Sequence, residues 1–277
     1  SKSQLAVPVM LAALALISWG LFEPLDWRGT TAAMCLIFLG LGGVLPQTWI
    51  RVCLGAGAAV LALLAWSQEA LWRGDLSGLH PWLSVHGLVA VGLGALAWSH
   101  QDGVDAVQSD KRALPPELVE LGTGWAVSTL LVLALWSGMT FLLGAQLGHG
   151  SLSSGGSPSS WWVSRDGADL GSACLAMCAV IWLAWRRPWL RQPWCLGLGL
   201  VLCALSLFMP ALGGVLLMAV ASLLAQRWRL AILAALVALW VLGAFYYQLA
   251  WPLTTKAGVL VLAGAVLAGE MEVGRAV

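Results

Sequence analysis

Residues Thr123 to Ala145 read TGWAVSTLLVLALWSGMTFLLGA, twenty-three positions without one charged side chain. As a helix this stretch extends about 34 Å, more than the ~30 Å hydrocarbon core of a bilayer. It lacks the period-two alternation of a membrane barrel strand, so the segment reads as a transmembrane helix. Similar runs lie on both sides of it: Leu5 to Phe22, Thr30 to Leu45, Arg51 to Trp66 and Leu83 to Trp98 before, then Asp169 to Trp185, Trp194 to Phe208, Ala211 to Ala225, Leu230 to Leu249 and Thr254 to Gly269 after. The expected fold is an all-α polytopic bundle of about ten spans in a single domain, residues 1–277.

Composition agrees. Hydrophobic residues make up 60% of the 277 and charged ones 10%, against roughly 25% charged in a soluble domain. A net charge of +1 excludes the clustered cationic surface that nucleic acid requires. The first run follows Lys2 and has no small-residue cleavage site after it, so it is read as a retained span, and the tail Glu270 to Val277 is short and polar.

Alternating the connections between two faces puts Lys2, Arg51, Lys111, Arg112, Arg186, Arg187, Arg191, Arg227, Arg229 and Arg275 on the side of the amino terminus. Arg28, Arg73, Arg165 and Lys256 fall opposite. The positive-inside rule then predicts both termini on the cytoplasmic side. The pair Trp194 to Phe208 and Ala211 to Ala225 is short for two spans, and eight spans with a re-entrant hairpin is the alternative; either returns the chain to the same face. Eighteen tryptophans, many at run ends, are expected to anchor the bundle in lipid at the headgroup level. Gly40, Gly43, Gly55, Gly92 and Gly94 are expected to let helices approach closely. Gly148 to Ser160 reads as a mobile outward loop, and Pro115 and Pro116 as the start of a helix.

Chemistry is sparse. All six cysteines sit in or beside apolar runs and read as small hydrophobes. Cys174 and Cys178 share a helix face, yet no His or further Cys stands close in sequence, so no metal site is expected there. His86 lies inside a run, and an intramembrane imidazole is a functional candidate by default, for polar packing or proton relay. Haem needs a second axial ligand at matching depth, which His80, His100 and His149 do not supply, so no cofactor is expected. Asp26, with Glu23, Glu69, Asp75, Arg28 and Arg73, is a candidate for a polar outward mouth. Tyr246, Tyr247, Trp251 and Lys256 bracket the break at Pro252 and form the densest motif, a candidate partner contact.

The pattern Tyr246, Tyr247, Leu249, Trp251, Leu253, Lys256, followed by a Gly-rich apolar run to Gly269, resembles the carboxy-terminal signature of a bacterial integral-membrane domain of unknown function. The resemblance covers the last third of the chain, including the Arg186 to Pro193 loop. It implies many short apolar helices and, as partners, a second multi-spanning membrane protein and a GDYXXLXY-motif protein. It supplies no catalytic residue. The expected function is therefore a non-enzymatic membrane subunit or scaffold. A ten-helix small-molecule or lipid transporter is the alternative, although no inverted repeat is evident between the halves, and a membrane enzyme or redox carrier built on His86 ranks third.

Overall fold

A computed structural model describes residues 12–14, 16–17, 19–20, 26–73, 82–94, 116–147, 158–187, 192–207 and 209–248. Every regular element among them is helical. The helices are α1 (Trp27–Val44), α2 (Thr48–Arg73), α3 (Trp82–Gly94), α4 (Pro116–Leu147), α5 (Pro158–Arg186), α6 (Pro193–Ser206), α7 (Leu212–Leu224) and α8 (Trp228–Gln248). Within the first apolar run, residues 12–14, 16–17 and 19–20 are also helical. Four helices are long and apolar enough to cross a membrane, over Trp27–Val44, Thr48–Ser67, Leu118–Gly138 and Ala168–Arg186, which marks a membrane protein. The run Thr254 to Gly269 lies outside the described residues.

Local chemistry sets the helix ends. Asp26 is the N-cap of α1, its Oδ1 accepting from the Gly29 amide at 2.9 Å. Pro46 holds Leu45 extended and stops α1 there. Pro116 and Pro158 occupy the first helical positions of α4 and α5, where a proline loses no hydrogen bond. Helix α5 consequently starts inside the Gly and Ser-rich stretch read as a loop, eleven residues before Asp169.

The chain divides into two compact units, residues 1–76 with 80–129, and residues 77–79 with 130–277. In the first, α1 packs along α2. Leu121 of α4 clusters with Ile50 and Leu54 at the start of α2 and with Leu41 and Leu45 at the end of α1. Trp125, one turn later, clusters with Ala58, Ala59, Ala62 and Leu63 further along α2 and with Cys35 and Leu39 earlier in α1. Helix α4 therefore runs in the same direction as α2 and opposite to α1. The crossing is backbone on backbone: a Cβ at Gly55 would collide with the Leu121 carbonyl, and one at Gly124 with the Val52 carbonyl. Gly40, Gly43 and Gly94, expected at such contacts, face open space.

In the second unit α5 packs against α6 and α7, and α7 against α8, while α6 and α7 touch each other little. Helix α7 is buried nearly all round. Gly199 of α6 lies against Val180 of α5, and Gly213 of α7 against Ser172. Thus α6 runs along α5 toward Ser172, and α7 starts at that level. With 14 and 13 residues, α6 and α7 are about 21 and 20 Å long, shorter than the ~30 Å core. Helix α7 ends in a Schellman motif: the Arg227 amide donates to Ser222 O and the Gln226 amide to Leu223 O, with Gln226 at φ 58°.

Candidate functional site

The densest polar arrangement in the first unit sits where α2 and α4 begin. The Arg51 side chain turns back over the end of α1, donating from Nε to Leu45 O at 2.6 Å and from Nη1 to Glu120 Oε2 at 3.1 Å. One guanidinium thus satisfies an orphan helix carbonyl and holds a carboxylate of another helix. Arg51 is 9% exposed and Glu120 22%, so the pair is largely screened from solvent. It lies about one turn before the Gly55 and Gly124 contact.

Further along, α3 carries His86 on its buried side. Nδ1 of His86 lies 2.8 Å from Trp82 O, one turn back, and the Trp82 ring stacks on the imidazole at 4.0 Å between centroids and 20° between planes. Trp125 donates from Nε1 to Leu88 O at 3.0 Å, and Thr129 donates to Trp125 O at 2.9 Å. The imidazole is therefore part of a Trp-walled interior. Trp82, one of the run-end tryptophans expected to anchor at the headgroup level, is instead buried and stacks on His86 as that wall. Trp27, Trp49, Trp185 and Trp228 are exposed at helix ends, and Trp66 is exposed within α2, seven residues before its end.

In the second unit Ser172, wholly buried in α5, donates to Met209 O at 3.0 Å and accepts from the Gly213 amide at 3.0 Å. Ala211 has no capping side chain of its own, so a serine from a neighbouring helix caps α7. A Cβ at Gly213 would strike the Ser172 carbonyl, and only glycine admits this approach. Trp240 of α8 likewise donates from Nε1 to Ala134 O in the second part of α4 at 3.1 Å. At the end of α7, burial holds the Arg227 guanidinium below its usual pKa.

The sequence candidates are scattered. Asp26 is exposed and acts as a helix cap; His86 is buried in α3; Tyr246 and Tyr247 fall in the last turn of α8, and their side chains lie outside the described residues. Trp251 and Lys256 also lie outside them, as do Glu23, Asp75 and His80. Among the described residues no three His, Cys, Asp or Glu side chains converge on a metal position. Sequence reasoning missed Gly124, Ser172 and Gly213, and it read Glu120 only as an acid suited to the positive end of a helix. The further signal of Glu120 was its place early in the helix that starts at Pro116, four positions before a glycine.

No curated protein and no solved structure matches the chain. A family model described as a domain of unknown function, DUF4401, matches residues 1–275, nearly the whole length and far more than the last third in which the resemblance was legible. The chain belongs to the DUF4401 family.

Proposed function

We propose that this chain is a non-enzymatic, multi-pass subunit of a larger bacterial inner-membrane assembly. One observation carries the reading: in both units buried polar groups tie one helix to another, Arg51 to Glu120 and Leu45 O, Trp125 to Leu88 O, Ser172 to Met209 O and Gly213. A scaffold spends its interior polarity in this way. The shared direction of α2 and α4 supports repeated passage through the bilayer, with α3 as the return, and the excess of Lys and Arg on one face supports cytoplasmic termini. The apolar face of α8, with Trp228, Ile232, Leu236 and Leu239 exposed, suits lipid or a neighbouring helix. The partners are a second multi-spanning protein and a GDYXXLXY-motif protein, contacted through the stretch from Tyr246 to Lys256.

The test is native mass spectrometry of the tagged chain, extracted in mild detergent from cells expressing it with its genomic neighbours. A discrete heavier species that disappears on Trp251→Ala or Lys256→Ala is expected. A bare monomer from those cells overturns the reading.

A second reading, a small-molecule or lipid transporter, draws on α6 and α7. Their junction at Met209 lies level with Ser172, about 21 Å along α5 from Arg186, and is buried. Two short helices meeting at a buried break suit a re-entrant hairpin, an element that transporters use near the midplane. Flux of candidate lipids in proteoliposomes separates the two readings.

A further inference from the structure

Helix α5 has two faces. Ser172, Ala176 and Ala179 are buried against its neighbours, whereas Cys174, Met177 and Cys178 are exposed. Cys53 is also exposed but has no sulfur three or four residues away, while Cys203 is buried as a small hydrophobe and Cys35 donates to Ala58 O. Packing accounts for those two and does not account for the sulfur atoms of α5.

Positions 174, 177 and 178 are related as i, i+3 and i+4, so their Cβ atoms stand about 5–6 Å apart on one helix surface. Side chains of this length close that gap around a single ion with metal–sulfur bonds of about 2.3 Å. Two thiols and a thioether, with no oxygen or nitrogen donor, select a soft cation and disfavour magnesium, calcium or manganese. Depth adds a charge criterion. The three residues lie near the middle of the apolar window Ala168–Arg186, where a net charge is costly. A monovalent ion that displaces one thiol proton leaves a neutral cluster of cation, one thiolate, one thiol and one thioether. A divalent ion reaches neutrality only by taking both thiol protons, and zinc with its four-coordinate preference would still want one ligand more than these three residues supply.

We infer that Cys174, Met177 and Cys178 form a soft-metal site on α5 that takes a monovalent cation of the Cu(I) class. The site is independent of the subunit reading, and all three side chains project from a helix surface, so replacing them leaves the core intact.

The full chain in detergent, reduced, is titrated with Cu(I) buffered by a chromogenic Cu(I) chelator, and bound copper is counted by elemental mass spectrometry. One Cu(I) per chain is expected. It is lost in the Cys174→Ser/Cys178→Ser variant, weakened in Met177→Leu, and kept in Cys53→Ser, which removes another exposed thiol. Thermal unfolding of the variants matches the parent. Failure of the parent to take copper from the chelator, equal loss with Cys53→Ser, or uptake that survives the double substitution overturns the site.

Discussion

Adding one methyl group at Gly124 and at Gly43 should move stability in opposite directions. Both changes, Gly124→Ala and Gly43→Ala, gain about 1 kcal/mol of helix propensity. At Gly43 the new Cβ meets nothing within 4 Å, so that gain stands. At Gly124 it overlaps the Val52 carbonyl and comes within 2.8 Å of Val52 C and 2.9 Å of Ala56 N. These are backbone atoms of another helix and cannot rotate aside. Relief requires α2 and α4 to separate, which opens the Leu121 and Trp125 clusters. Overpacking of this kind costs about 1–3 kcal/mol, and loosening the neighbouring ion pair adds to it. The net expectation is about 1–2 kcal/mol of destabilisation at Gly124 and up to about 1 kcal/mol of stabilisation at Gly43. At roughly 2–4 °C per kcal/mol, thermal unfolding in a fixed detergent resolves the pair. Shifts of the same sign at both positions would refute the close crossing of α2 and α4.

Further outcomes follow from the same contacts. Glu120→Gln should cost about 1–3 kcal/mol by leaving Arg51 short of its counter-ion, and Arg51→Gln combined with it less than the sum of the two, as a double-mutant cycle in thermal unfolding will read; strict additivity refutes the pairing. Ser172→Ala removes both a donor and an acceptor from the start of α7 and should cost about 1–3 kcal/mol, with faster hydrogen exchange at the Gly213 amide. Gln226→Gly should stabilise by up to about 1 kcal/mol, because glycine adopts the positive φ of the Schellman position without strain, and a lower unfolding temperature argues against that turn.

The helical, membrane-embedded character was legible because it rests on period and length, which need no partner. Thr123 to Ala145 declares itself alone. Element starts were unevenly legible: Pro115 and Pro116 announced the start of α4, whereas α5 begins eleven residues before its apolar run, since Pro158 starts helix over polar residues that hydropathy assigns to a loop. The contacts were the least legible. Gly40, Gly43 and Gly55 look alike in sequence, and only Gly55 finds a facing backbone, because that depends on where Leu121 falls in three dimensions. Trp82 and Trp66 both sit at run ends, yet one turns in to His86 and the other outward. Ser172 gives no sign at all of capping a helix that starts forty residues later.

The Arg51 and Glu120 pair also sets a timetable. Sixty-nine residues separate the partners, and at the usual synthesis rate of about 5–20 residues per second the carboxylate leaves the ribosome roughly 3–14 s after the guanidinium. Through that interval the Glu120 carboxylate is not yet there to pair with Arg51, whose Nε bonds Leu45 O in the folded chain. The contact between α2 and α4 is therefore completed only once α4 has been made. Loss of Glu120 would show first as slow maturation and proteolysis of new chains, before any change in those already folded.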